Sequence, residues 1–588
     1  MRRAGPIGPS APVAAPARGR ADGPKRGSLP AVPNRDLRRP AEVCPQPLTG
    51  LAGFVRVPLT GAPSDPGAML TGVTHDSRAV RPGDLYAGLP GENFHGAAFA
   101  GQAAAAGAVA LLTDPAGAEL AADSGLPTLV VADPRGRLGE IAAWVYGSPA
   151  QDLVMFGVTG TNGKTTTAYL LDGGLRAGGG TTGVIGTVET RIGEEVVPSV
   201  RTTPEATDVQ ALLASMRENG VTAAVMEVSS HALALGRVDG TVYDVALFTN
   251  LSQDHLDFHA SMEEYFETKA ELFTPRRSRI GVIDVDDAYG RRLAKMASVP
   301  VLTVSAAGAA DADWRAENVD LGPDGSRFTV VGPDGHKADA SVRLAGPFNV
   351  SNALLAIVAL TAGGVSLADA VEGVGRTPGV PGRMERVDEG QSFLALVDFA
   401  HTPDAVQTLL EALRPVTAGT LTIVLGAGGD RDRAKRPLMA AAAARLADRV
   451  VLTSDNPRSE DPPAILDEML AGIPGLADPH ADVRVEPDRA EAIELAVEQA
   501  GPGDTVVVAG KGHEQGQEFA NGVKHPFDDR VELRRAIART MRGGPASPKQ
   551  SDGARIVTPA PSTHTPTSET PTPGVPATGT SRAEETNQ

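Results

Sequence analysis

The chain has 588 residues, which at roughly 150 residues per domain points to three or four domains. Its 54 Lys and Arg against 72 Asp and Glu leave a formal charge of −18, which argues against nucleic acid as a partner but leaves room for small phosphorylated ligands held by local dipoles. A single cysteine, Cys44, excludes an intrachain disulfide and a Cys-rich metal site, and no stretch nears the ~18 apolar residues of a transmembrane segment.

Residues 1–40 carry nine Lys or Arg against Asp22 and Asp36, set among Pro, Ala and Gly. Without periodic apolar positions such a segment cannot offset its ordering entropy, so residues 1–48 are expected to form a disordered basic tail that includes Cys44. Arg2-Arg3 is not followed by an apolar stretch, so no secretory or twin-arginine signal is expected, and the expected location is cytoplasmic. Residues 49–150 follow as a first domain, with short β-like runs such as 128–131 and an Ala-rich helix near 98–107. Residues 151–378 form a second, in which the apolar run 153–158 ends in a Gly-rich loop and a helix over 165–175 follows. Residues 221–228 and 242–247 are further runs of strand length. Residues 379–543 repeat the alternation, with strands at 394–397, 421–425, 450–452 and 505–508 between helices at 404–413, 436–446 and 488–500. Residues 544–588 turn to Pro, Thr and Ser and are expected to be a second disordered tail. Strands alternating with helices predict an α/β fold of parallel, doubly wound sheets, with ligand loops at the carboxyl edges.

Gly160, Thr161, Asn162, Gly163, Lys164, Thr165 and Thr166 lie between a predicted strand and a predicted helix. The glycines let backbone N–H groups approach phosphate oxygens, the helix N-terminus adds a favourable dipole, and Lys164 adds charge. Thr165 can place its hydroxyl on Mg²⁺. A strict phosphate-loop pattern wants glycine where Val158 stands, so the match is a variant. Glu227 ends an apolar run, where a carboxylate is placed to hold Mg²⁺ but reads equally as a surface glutamate. Asp254, His255, Asp257 and His259 cluster like metal ligands, although each histidine singly also reads as a structural residue.

The segments Gly160 to Thr166, Glu227-Val-Ser-Ser-His231 and Asn250 to Asp257 resemble the ATP-dependent Mur ligases of peptidoglycan synthesis. The resemblance extends to Gly346-Pro-Phe-Asn-Val-Ser-Asn352, Pro381-Gly-Arg383, Asp398-Phe-Ala-His401 and Asp76-Ser77-Arg78, and covers about residues 49–543. It implies a three-domain Mur ligase architecture, with a central P-loop parallel-sheet domain and a C-terminal Rossmann-like domain. ATP and Mg²⁺ are the implied cofactors. Asn352, Arg383 and Asp398 join the phosphate loop as implied nucleotide contacts. The implied metal set is Thr165, Glu227, His255 and Lys269, the last as a carbamate, because a bare ammonium repels a cation that carbamate oxygens attract. By residue type alone Lys269 reads as a solvated helix lysine.

Arg431, then Asp455, Asn456, Pro457 and Arg458, then Gly510 and Glu514 resemble the branch of the family that adds diaminopimelate as the third stem-peptide residue. The second amino-acid head of diaminopimelate carries a carboxylate that Arg458 and Arg431 can pair with, and L-lysine lacks it. Gly510 and Glu514 are implied to hold the distal ammonium. Asp455 to Arg458 also reads as a turn begun by an Asx-Pro pair. The implied acceptor is UDP-MurNAc-L-Ala-D-Glu, with Ser77 at the uridine and Thr202, Thr203, Ser229 and Arg237 along the peptide and sugar. Two alternatives stand beside this expectation. One is a related ligase using lysine or a folate acceptor, against which the Arg431, Arg458 and Glu514 set argues. The other is an inactive nucleotide-binding scaffold, which should lack Lys164, Glu227 or Lys269, and all three are present.

Overall fold

Apolar runs of strand length, rich in Val, Ile and Leu, assemble into three successive sheets along the chain. The computed structural model describes residues 38–61, 67–91, 93–197, 201–473, 481–543 and 555–557. The first sheet has five strands, four of them parallel, in the order Leu59–Thr60, Thr128–Val130, Ala110–Thr113, Asp84–Ala87 and Gly72–Thr74. The Ala-rich segment between strands Asp84–Ala87 and Ala110–Thr113 becomes a 3₁₀ turn, Gly96–Phe99, running into the short helix Ala100–Ala105.

The central sheet has eleven strands. Strand Val154–Thr159 lies between Ala223–Glu227 and Tyr243–Phe248, parallel to both. The chain first leaves it on one side, through Thr182–Ile185, and later crosses to the other, through Ser278–Asp284 and Val301–Ser305. Its carboxyl end is therefore the topological switch point, where an open α/β sheet leaves a crevice for ligands. Both faces of this strand are covered, which is why it reads as a continuous apolar run rather than an alternating one. Phe156 and Val158 face Leu171, Leu354 and Val358 on one side. Met155 faces Leu213, Met226 and Phe266 on the other. Antiparallel strands close both edges.

The third sheet has seven strands, in the order Glu385–Arg386, Leu394–Asp398, Thr505–Ala509, Leu421–Ala427, Arg449–Ser454, Asp482–Val485 and Arg555–Val557. The five inner strands are parallel. Strand Thr505–Ala509, last of the five in sequence, is inserted between the first two, so the loop beginning at Gly510 emerges beside the loop that follows Asp398.

Two departures from the sequence reading concern the expected tails. Arg39 Nη1 lies 2.7 Å from Asp84 Oδ2, and Glu218 of the central region accepts from the N–H groups of Ala41 and Glu42. Residues 38–48 are thus tied to the folded body, and Cys44 sits there as an exposed free thiol. At the other end Arg555–Val557 pairs antiparallel with Asp482–Val485. Composition could not reveal either, because each attachment joins residues far apart in sequence. The rest of both expected tails lies outside the described residues. Among the described residues no helix is long and apolar enough to cross a membrane.

Candidate active site

The phosphate loop leaves strand Val154–Thr159 and enters helix Lys164–Ala177. Gly160 and Gly163 have φ of +142° and +85°, a region open to glycine at little cost. A Cβ on Gly160 would run into Thr249 Oγ1, and one on Gly163 into Asn352 Oδ1. The loop is moulded by the neighbouring strand end. Asn250 O accepts from Thr161 N at 2.9 Å, Asn250 Oδ1 accepts from Asn162 N at 2.9 Å, and Thr249 Oγ1 donates to Asn162 O at 2.6 Å. Lys164 Nζ folds back onto Gly160 O (3.0 Å) and Thr161 O (2.9 Å), and burial pushes its ammonium below the ordinary lysine range. Thr167 Oγ1 reaches Asn352 Oδ1 at 3.3 Å.

Glu227 ends strand Ala223–Glu227 and is only 1% exposed. Its carboxylate accepts from Thr165 Oγ1 (2.9 Å), Thr187 N (2.8 Å) and Thr187 Oγ1 (2.9 Å). These donors are neutral, so the buried charge is hydrogen-bonded but not neutralised by an ion pair, a setting that suits a divalent cation. Thr203 Oγ1 donates to Glu227 O at 2.7 Å and accepts from Ser229 N at 3.2 Å. Thr202 Oγ1 is 3.0 Å from Thr187 Oγ1, and Arg237 Nη2 is 2.9 Å from Glu205 Oε1. Sequence reasoning missed Thr187, whose position just past a strand carries no motif.

Lys269 is buried, not solvated. Its Nζ donates to Gly160 O at 2.9 Å and lies 4.6 Å from the centre of the Tyr265 ring. Burial, aided by the Lys164 charge, pushes its ammonium well below the ordinary lysine range. His255 has a left-handed backbone (φ +55°), and its ring packs edge-on to that of His231 at 4.8 Å. Burial lowers the His255 pKa to about 4, against the pull of Asp254. His259 is buried against Tyr265, with neither ring nitrogen partnered among the described residues. Among the described residues no group of three or more His, Cys, Asp or Glu side chains is arranged to hold a metal. The rings of His231, His255, Phe258 and His259 pack together beside the loop, while Thr165 and Glu227 are directly joined.

The third sheet brings its loops to the same place. The Arg383 guanidinium lies 4.4 Å from the centre of the Phe399 ring, and its Nη2 donates to Thr165 Oγ1 at 3.2 Å. Asp398 is held by Met384 N and Ala400 N, and burial raises its carboxyl above the usual range. Asn162 Nδ2 donates to Asp404 Oδ2 at 3.2 Å, a second link between the loop and the third sheet's domain. Next to these, Asp455, Asn456, Pro457 and Arg458 follow strand Arg449–Ser454. Arg458 has φ +52°, and its Nη1 donates to Gly429 O at 2.7 Å. Asn456 Nδ2 donates to Glu514 Oε2 at 2.8 Å. At Gly510 (φ +114°) a Cβ would meet Asp455 Oδ2 at 2.7 Å. Arg431 is exposed at the rim, donating to Asp430 O.

These groups line one cleft of about 910 Å³ between the central and third sheets. Thr161 to Thr166, Thr202, Thr203, Glu227, Ser229, Arg237 and His255 form one wall, with Asn352 at its edge. Arg383, Asp398, Arg431, Asp455, Asn456, Arg458, Gly510 and Glu514 form the other. Gly160, Lys269 and Pro457 are not part of its lining. Ser77 also lies outside it, on the first domain, where its Oγ donates to Gln102 Oε1 at 3.3 Å.

Three family models match the chain in succession: the Mur ligase family catalytic domain over residues 69–146, the Mur ligase middle domain over 158–360, and the Mur ligase glutamate ligase domain over 382–512. The UDP-N-acetylmuramoyl-L-alanyl-D-glutamate–2,6-diaminopimelate ligase of Streptomyces coelicolor is 62% identical over 504 residues, 86% of this chain and 98% of that protein. A solved structure of a ligase of the same name is 36% identical with a TM-score of 0.57, covering 80% of this chain and 96% of its own. The MurF ligase of Thermotoga maritima, solved in complex with ADP, shares the fold at 18% identity and a TM-score of 0.56, covering 80% of this chain and 97% of its own. With these matches running through all three sheets, the chain belongs to the Mur ligase family, in the group of its 2,6-diaminopimelate ligases.

Proposed function

We propose that this chain is an ATP-dependent ligase that joins 2,6-diaminopimelate to UDP-N-acetylmuramoyl-L-alanyl-D-glutamate, a step of cytoplasmic peptidoglycan precursor synthesis. The observation that carries the reading is the single cleft, with a phosphate loop on one wall and Asp455 to Arg458 with Glu514 on the other.

A carboxylate is a poor acylating group, so activation comes first. The γ-carboxylate of the acceptor's D-glutamate attacks the γ-phosphorus of ATP and expels ADP, leaving an acyl phosphate. The amine of the incoming amino acid then attacks the acyl carbon, loses a proton and expels phosphate, forming the amide. The phosphate loop positions the triphosphate through its N–H groups and the dipole of helix Lys164–Ala177. Lys164 and Arg383 stabilise the charge that spreads over the transferring phosphoryl group. Asn352 and Asp398 serve the nucleotide, and Thr202, Thr203, Ser229 and Arg237 hold the acceptor. Ser77, outside the cleft, serves the distant uridine end.

Thr165, Glu227, His255 and Lys269 would hold Mg²⁺, which when bound would offset the negative charge of the phosphates. The hard oxygens of Thr165 and Glu227 suit it. Lys269 fits only as a carbamate, and its depressed ammonium supports that state: a neutral amine attacks CO₂, giving a carbamate and a proton. Arg458 and Arg431 pair with the distal carboxylate of diaminopimelate, and Glu514 with Gly510 receives its distal ammonium. Asp455, Asn456 and Pro457 shape that pocket.

The test is phosphate release and product mass with ATP, Mg²⁺, the UDP-linked dipeptide and either diaminopimelate or L-lysine. Release that requires both the dipeptide and diaminopimelate is expected. Absence of any acceptor-dependent release would remove the enzyme reading, and a preference for lysine would remove the specificity.

A further inference from the structure

Behind the third-sheet wall lies a charge that the reaction above does not use. Lys511 is fully buried and does not itself line the cleft, yet it touches residues that do. Its Nζ donates to Asn456 Oδ1 at 2.8 Å and to Glu514 Oε2 at 2.9 Å, and lies 3.8 Å from Asp455 Oδ1. Asn456 Nδ2 donates to the same Glu514 oxygen at 2.8 Å, so the ammonium, the amide and the carboxylate form a closed triangle. The other buried cation nearby cannot take its place. Arg489 is committed to both oxygens of Asp529, at 2.7 and 2.8 Å, and to Ala509 O at 2.9 Å.

We propose that Lys511 is the positioning and charge-setting residue of the amino-acid pocket: it holds Glu514 and Asn456 in place from behind and neutralises one of the two carboxylates there. Lys511 offsets one of the two carboxylates, Asp455 and Glu514, and leaves the other to face the substrate's ammonium, while Arg458 and Arg431 remain for its distal carboxylate. Glu514 Oε2 takes both internal donors, and among the described residues no hydrogen bond reaches Oε1, which leaves that oxygen for the ligand. Without Lys511 the two carboxylates repel each other, Glu514 loses its anchor, and the extra negative charge opposes the distal carboxylate that Arg458 is to receive.

This inference rests on the diaminopimelate reading, and the experiment separates the two. Steady-state kinetics are measured for wild type, K511M, E514Q, R458A and the double variant K511M/E514Q, varying diaminopimelate and ATP in turn. K511M is expected to raise the KM for diaminopimelate by roughly 10- to 100-fold, with the KM for ATP within about twofold of wild type. In the E514Q background the same change is expected to add far less, because Lys511 acts through Glu514. A purely structural lysine would lower the amount of folded enzyme without moving the KM of what remains. If R458A and E514Q raise the KM for diaminopimelate but K511M leaves it unchanged, or if K511M has its full effect in the E514Q background, the role of Lys511 is overturned and the pocket assignment stands. If R458A and E514Q also leave it unchanged, both are overturned. Should K511M not fold, K511Q, which keeps a donor for Asn456 and Glu514, is judged by the same limits.

Discussion

Asp284 illustrates how a single residue in this cleft differs from its type. It ends strand Ser278–Asp284, lines the cleft, and is buried. Burial pushes its carboxyl up to about 7; one N–H bond from Asp286 (2.9 Å) opposes the shift, and the nearby Asp286 and Asp287 charges add to it. Between pH 4 and 7 the folded protein keeps a proton on Asp284 that the unfolded chain releases. Stability from this group is thus complete below the unfolded value of 3.8 and is lost as pH rises through about 7. D284N keeps an acceptor for the Asp286 N–H without the charge. It should stabilise the protein at pH 8 by on the order of 4 kcal/mol and change little near pH 4. Urea titrations at the two pH values measure this, and equal gains at both would count against a titrating Asp284. Nothing in the sequence marks this carboxyl, because its shift comes from what covers it. The same holds for Lys269, which reads as a surface lysine until the fold buries it.

At the scale of elements, the helix that starts at Lys164 depends on how closely a second helix, Leu367–Arg376, approaches it. A Cβ on Gly373 would lie 2.5 Å from Gly174 Cα and 2.6 Å from Gly173 O, so the two backbones meet with no side chain between them. Helix Pro347–Ala362 packs on the same helix, its Leu354 and Leu360 within one apolar cluster with Leu170 and Leu171. G373A would have to push the helices apart and should cost roughly 1–3 kcal/mol, read by denaturant unfolding. Its KM for ATP should rise as well, because the phosphate loop rides on the displaced helix; a variant as stable as wild type would refute the close-approach argument. The helices and strands themselves were largely legible. The strands expected at 394–397, 421–425 and 505–508 appear as Leu394–Asp398, Leu421–Ala427 and Thr505–Ala509. Their signal is local: an apolar run bounded by Gly, Pro or Asp. The order in which they pair was not legible, since inserting Thr505–Ala509 between two earlier strands is decided by contacts over about a hundred residues.

For the whole molecule, the least expected link is Arg39 to Asp84. By composition Arg39 belongs to a basic tail, yet its guanidinium closes on a carboxylate whose side chain is only 2% exposed. Gly72, opposite Asp84 on the neighbouring strand, has no side chain to obstruct it. R39A leaves that carboxylate buried without its cation, though Arg81 N still donates to it at 2.8 Å. A loss of about 3 kcal/mol is expected, measurable as a lower midpoint in urea, with kinetic constants for ATP unchanged. A loss within a few tenths would mean that residues 38–48 merely lie against the first domain.

Every feature whose cause is contiguous could be read from the chain alone. The phosphate loop is a strand, two glycines, a lysine and a helix start, all within eleven residues, and it formed as read. The family and the chemistry followed from such short strings. The contacts between strings came only with folding: Thr187 on Glu227, Lys511 behind Glu514 and Asn456, Asn162 on Asp404, and Arg39 on Asp84. One cause underlies all four. A side chain's type sets what it can bond, but only the packing of sheets sets its partner and how much water remains around it, and in the buried sites here those two decide its charge.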